Sequence, residues 1–199
     1  MTKGDECMED ARGKWDAIYS KAREFPATPS RVLEENAHLL PAGGDALEIA
    51  CGLAGNAVML ARGGFRARAW DLSPVVVERI NDYARANELT LAAEARDMTA
   101  SAPEPSSCDV IVVAHYLERG LVPAIIEALR PGGLVYYQTF TRSKVSDAGP
   151  SNPDFLLADG ELLELFAALE LLVYREERDA GDIRRGLRNE AMIVARKRA

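Results

Sequence analysis

The sequence predicts a doubly wound α/β fold: a mostly parallel, seven-stranded sheet with helices on both faces. Three observations predict it. From Asp45 onward, short β-like runs alternate with helical stretches. Residues 109–114 (DVIVVA) form an uninterrupted apolar run, as in a strand covered on both sides. Glycine or proline punctuates most junctions between these segments.

The elements follow in order. Residues 1–9 are polar without periodicity, which predicts a frayed start, and Ala11, Trp15, Ile18 and Tyr19 fall on helical spacing within 10–20. Thr28-Pro29 supplies a cap and a first-turn proline for a second helix running to Leu40, where Pro41-Ala-Gly-Gly44 ends it. A first strand at 45–50 leads through Gly52 to a helix over 55–62, closed by Gly63-Gly64. A second strand at 66–71 precedes Ser73-Pro74, which caps a helix carrying Val75, Val76, Ile80 and Tyr83 to about Asn87. Strands are predicted at 91–96, 109–114 and 134–140, with a helix over 121–130 before Pro131-Gly132-Gly133. Residues 141–154 read as a long loop, a length that compact domains keep for function or mobility. Asp159 caps a helix to about Leu169. Strands at 171–177 and 190–196 close the chain around a turn at 179–182. Neither a repeat nor a linker divides it, so 1–199 reads as one domain.

Charge and composition exclude several classes. With 24 Lys+Arg against 31 Asp+Glu the net charge is −7, which disfavours a nucleic-acid partner. The three cysteines, Cys7, Cys51 and Cys108, are odd in number and form no CxxC pair, so neither a disulfide framework nor a metal site is expected. Residues 1–14 lack the apolar core of a secretory signal, and no apolar run approaches the roughly 18 residues that span a bilayer. A soluble, cytoplasmic protein is the expectation, and its oligomeric state is not legible.

In such sheets ligands bind at the carboxyl ends of the strands. Three acids stand at or just past the ends of successive strands: Glu48, Asp71 and Asp97. Gly52 permits a tight turn and close backbone approach to a ligand, and the following helix offers its unpaired amides. Asp71 lies 19 residues after Gly52, near the offset of about 20 at which an acid accepts ribose hydroxyls. Asp97 is placed to accept from an adenine amine, so the three acids outline a nucleoside-shaped site.

The motifs Trp15-Asp-Ala-Ile-Tyr19, Ala46-Leu-Glu-Ile-Ala-Cys-Gly52 with Asn56, Trp70-Asp-Leu-Ser-Pro74, Asp109-Val-Ile-Val and Leu129-Arg-Pro-Gly-Gly133 stand in a telling order. Gly149-Pro-Ser-Asn-Pro-Asp-Phe155 and Glu161-Leu complete the series. Together the chain resembles a small class I S-adenosylmethionine-dependent methyltransferase, most similar to the tellurite-resistance-type branch. The resemblance implies a Rossmann-like sheet whose last strand is antiparallel, with the helices of about 10–40 as a lid over the cofactor. It implies S-adenosylmethionine as cofactor, S-adenosylhomocysteine as product and a small-molecule methyl acceptor. Ala50-Cys51-Gly52, with Asn56, would face the methionine part, and Glu48 would organise water or the amino group. Asp71 would hold the ribose, Leu72 would pack on adenine, and Asp97 with the Met98 backbone would bind the adenine amine. Ala114 and His115 would lie beside the sulfonium, under Trp15 and Tyr19.

One departure stands out. The family usually has a glycine two places after Gly52, where this chain has Ala54. Either Gly55 absorbs the turn and the loop is reshaped, or affinity for the cofactor is lost. In-line methyl transfer needs alignment and exclusion of water more than acid–base chemistry. For an oxygen or nitrogen acceptor, His115 and Tyr116 are the candidates to take a proton. His115 reads equally as a wall or a substrate contact, Cys51 as a packing residue, and Arg142 as a contact to an anionic substrate or a surface residue. Two other classes stay open. A nicotinamide-dependent oxidoreductase is one, although Gly52-Leu-Ala-Gly55 is not GxGxxG. A non-catalytic cofactor-binding or interaction protein is the other.

Overall fold

The computed structural model describes residues 3–198. Seven strands form one sheet in the order β3-β2-β1-β4-β5-β7-β6. They are β1 (Gly44–Ile49), β2 (Phe65–Asp71), β3 (Leu91–Ala95), β4 (Cys108–Ala114), β5 (Leu129–Phe140), β6 (Glu170–Glu176) and β7 (Glu190–Arg196). The first five are parallel, and β7 runs antiparallel to both β5 and β6. The expected architecture, including its antiparallel last strand, is the one observed.

Side-chain alternation along the strands separates two faces. Leu47, Ile49, Ile111 and Val113 pack with Ile125 of α5 (Val122–Ala128), with Leu162 of α6 (Glu161–Leu165) and with Phe166 just beyond it. On the other face Ala46, Val110 and Val112 meet Val32 and Leu33 of α2 (Arg31–Glu35). Beside them, Ala67 and Ala69 pack under α3 (Gly55–Arg62) and α4 (Pro74–Ala86). The 109–114 run is covered on both sides, as its composition predicts.

Several boundaries differ for identifiable reasons. Helix α1 runs Lys3–Tyr19, so the polar start expected to fray is helical from Lys3. The second helix is shorter than expected. Its N-cap is Ser30 rather than Thr28, and it breaks at Asn36, whose side chain donates back to the Val32 carbonyl at 2.9 Å, before a 3-10 turn at Ala37–Leu39. Helix α5 stops at Ala128 because Leu129 already pairs with Cys108. Helix α6 starts from Gly160 in the left-handed region, while Asp159, the expected cap, accepts from Ser143 Oγ at 2.7 Å and pairs with Arg178. The last two strands are joined by residues 177–189 rather than by a tight turn. Arg188 organises that loop by donating to the carbonyls of Arg178, Ala180, Asp182 and Arg185. No helix among the described residues is long and apolar enough to cross a membrane.

Candidate functional site

A cleft of about 1130 Å³ opens at the carboxyl ends of β1, β2 and β4. All fourteen residues expected at the site line it. Trp15 and Tyr19 come from α1, Glu48, Ala50, Cys51 and Gly52 from β1 and its turn, Asn56 from α3, Asp71 and Leu72 from the end of β2, Asp97 and Met98 from beyond β3, and Ala114 to Tyr116 from the end of β4.

The turn after β1 is an alternation of left-handed residues: Ala50 at φ 52°, Gly52 at 49° and Ala54 at 54°. Ala54 therefore adopts the conformation a glycine would take. The turn is kept rather than reshaped, at a cost of about 1 kcal/mol. Gly55 does not absorb it; it serves close approach instead, since a Cβ there would lie 2.6 Å from the Ala27 carbonyl oxygen and 2.7 Å from that of Thr28.

Glu48 and Asp71 are the two buried acids of the floor. Glu48 accepts from Asn56 Nδ2 and from the Ala57 N–H, both at 2.7 Å. Asn56 Oδ1 in turn accepts from the Ser30 N–H at 2.8 Å and its hydroxyl at 2.9 Å. This chain of bonds ties α2 to α3 and β1. Burial pushes Glu48 up to about 7, against the hydrogen bonds it accepts. Asp71 accepts from the Gly52 N–H at 2.9 Å and the Ser73 N–H at 3.0 Å, linking the ends of β1 and β2. Burial raises its pKa too, in spite of those bonds. The Tyr19 hydroxyl also bonds to Asp71, and a Cβ on Gly52 would stand 3.3 Å from that hydroxyl. Asp16 on the same helix accepts from Ser73 Oγ, so α1 is fastened at two points above the turn. Trp15 stacks on Tyr19 with ring centroids 5.6 Å apart and remains exposed.

Asp97 accepts from the N–H and hydroxyl of Thr99 through a single oxygen, Oδ1. Cys51 is a buried free thiol pushed well up by desolvation, which suits packing rather than nucleophilic chemistry. Tyr116 is pushed up to about 12 by burial and the nearby Glu118 and Asp97. His115 sits in the left-handed region at φ 56°, its N–H donating to the Gln138 carbonyl at 2.8 Å. Its Nε2 lies 3.3 Å from Glu190 Oε1.

Some lining residues have no counterpart in the expected set. Gln138 and Glu190 flank His115, while Arg184 and Arg188 arrive from the 177–189 loop and Arg31 from α2. Val145 and Ser146 of the long loop also line the cleft, as expected of that segment, with Phe155 and Ile183 nearby. Arg142, which reads as either a contact to an anionic substrate or a surface residue, does not line it.

Residues 46–133, from β1 into β5, match the family model described as a methyltransferase domain. Over that segment the chain is similar to methyltransferase domains. Among curated proteins, hemagglutinin 1 of Eikenella corrodens is 31% identical over 165 residues, covering 79% of this chain and 54% of that protein. The ubiquinone biosynthesis O-methyltransferase of Methylococcus capsulatus is 29% identical over 137 residues, covering 65% of this chain and 57% of that one. The chain thus spans little more than half the length of these curated relatives. Among solved structures, TehB from Haemophilus influenzae superposes with a TM-score of 0.68 at 20% identity, covering 92% of this chain and 67% of that one. That likeness is one of fold.

Proposed function

We propose that this chain binds S-adenosylmethionine in the cleft and transfers its methyl group to a small-molecule acceptor in the cytoplasm. The observation that carries the reading is the Gly52–Asp71 bond at the ends of β1 and β2, set beneath α1 in a segment similar to methyltransferase domains. The residues fit such a cofactor. Asp71 offers a carboxylate for the ribose hydroxyls, and Leu72 with Met98 offers apolar surface for adenine. Asp97 keeps Oδ2 available for the adenine amine. The turn from Ala50 to Gly52, braced by Glu48 and Asn56, faces the methionine part, and Ala114 with His115 flanks the methyl. Trp15 and Tyr19 cover the site from α1, making the helices of about 10–40 a lid on a single domain. When bound, the cofactor supplies a methyl on a sulfonium, whose departure needs no proton. The chain's own work is to align the acceptor and exclude water.

Calorimetry with S-adenosylmethionine and S-adenosylhomocysteine tests this, with NAD as control. We expect micromolar binding of both, weakened at least about tenfold in Asp71→Ala, or about 1.4 kcal/mol. A thermal melt of the variant separates lost binding from lost fold. Binding of NAD in their place, or of none of the three, would sink the reading.

A further inference from the structure

The orientation of every group around His115 follows from one donor. The Val32 N–H can only donate, and it donates to Gln138 Oε1 at 2.7 Å. The Gln138 amide nitrogen must then face the other way, and it donates to Glu190 Oε2. An ionised carboxylate only accepts, so Glu190 Oε1, 3.3 Å from the ring, receives the proton on His115 Nε2. The imidazole is thereby held as the Nε2–H tautomer, leaving the Nδ1 lone pair as its base. Burial pushes Glu190 up, but the hydrogen bonds from His115 and Gln138 outweigh it and hold its pKa below the usual range, with Arg31 acting in the same direction.

Two further observations set this histidine apart from a plain wall. Its backbone is held left-handed, a conformation that non-glycine residues keep at a cost and that collects at functional sites. Its ring lies tilted over Phe140 with centroids 5.1 Å apart, so packing as well as hydrogen bonding fixes its direction. Arg31 from α2 acts on Glu190, and Tyr116 follows His115 in the chain.

We infer that Glu190 positions His115 as a proton acceptor, and that the methyl acceptor is therefore a protonated hydroxyl of the phenol or enol type rather than a thiol that ionises unaided. This rests on the methyltransferase reading above. As the acceptor O–H proton passes to Nδ1, the oxygen–carbon bond forms and the carbon–sulfur bond breaks. The electron pair stays on sulfur, and the positive charge ends on the imidazolium opposite Glu190, which later returns its proton to solvent. Glu190 is a positioning residue; only His115 touches the reacting atoms.

The test uses two probe acceptors, catechol and thiophenol, with radiolabelled S-adenosylmethionine. Wild type, His115→Gln and Glu190→Gln are compared. In Glu190→Gln the new amide has one acceptor oxygen for two donors, so it misorients either Gln138 or the imidazole. The expected result in both variants is a fall of about 10² or more in the catechol-to-thiophenol ratio of kcat. In Glu190→Gln, KM for catechol and the Kd for S-adenosylhomocysteine should stay within a few-fold of wild type. An unchanged ratio would overturn the assignment, because a residue that merely shapes the cleft slows both acceptors alike. So would wild-type protein that binds S-adenosylhomocysteine yet methylates neither probe, an outcome that leaves the cofactor reading standing. Failure of wild type to bind S-adenosylhomocysteine at all would remove both.

Discussion

Stability is expected to fall as pH rises from 5 to 7 and to level off above, and Glu48→Gln is expected to lose most of that slope. Glu48 is 3% exposed, and burial raises it from 4.5 to about 7. Between those values the unfolded chain has released the proton and the folded chain still holds it. Each pH unit in that window therefore removes up to about 1.4 kcal/mol of unfolding free energy, about 3 kcal/mol across the whole of it. Asp71, also raised by burial, acts in the same direction above its ordinary value of 3.8, whereas Glu190, held low, acts only below 4.5, outside this window. A glutamine has one acceptor oxygen for the Asn56 amide and the Ala57 N–H, so the variant starts about 1–3 kcal/mol lower at pH 5, a gap that closes as the wild type falls. The slope, not the level, identifies Glu48. Urea unfolding of both proteins at pH 5, 6, 7 and 8 gives the comparison, and parallel curves would show that Glu48 does not titrate in this range.

Gly55→Ala is expected to cost about 3 kcal/mol and, for a chain of this length, to lower Tm by about 6–12 °C. The added Cβ meets two backbone carbonyls, at 2.6 and 2.7 Å, and backbone cannot swing aside as a side-chain tip can. The 27–30 segment would have to lift from α3, stretching the Ala27–Leu53 bond and the pair from Ser30 to Asn56. Asn56 then loses its hold on Glu48. Gly13→Ala is the contrast: nothing stands within 4 Å, and alanine favours a helix. Equal melting of the two variants would mean that the approach at Gly55 relaxes without cost.

The sheet was legible because each parallel strand is announced locally, by an apolar run and a turn residue at its end. Asp71 and Gly52 were legible for the same reason, standing at a fixed offset in one strand–turn–helix–strand unit. Ala54 shows the limit of that method: sequence marks the missing glycine, but only the backbone tells that alanine takes its left-handed place. Glu190 lay beyond reach. It touches His115 because β7 pairs with β5, setting Glu190 opposite Phe140, an adjacency across seventy-five residues that no local pattern encodes. Arg184 and Arg188 reach the cleft only through the path of the 177–189 loop, which no local pattern marks. Asn36 ended α2 early through a side-chain bond that competes with the helix, which propensity alone does not resolve.

The match to the methyltransferase model ends at residue 133, while Gln138, Phe155, Ile183 and Glu190 all lie beyond it. On the proposed reading, the chain writes its donor and its acceptor in separate passages. The earlier passage sits in strand ends that the sheet holds in register, where an insertion would break the register. The later one hangs largely on two surface connections, 141–160 and 177–189, whose length can change at little cost in closure entropy. Descendants of this chain can therefore change clientele by lengthening or exchanging those connections while the methyl supply is inherited intact.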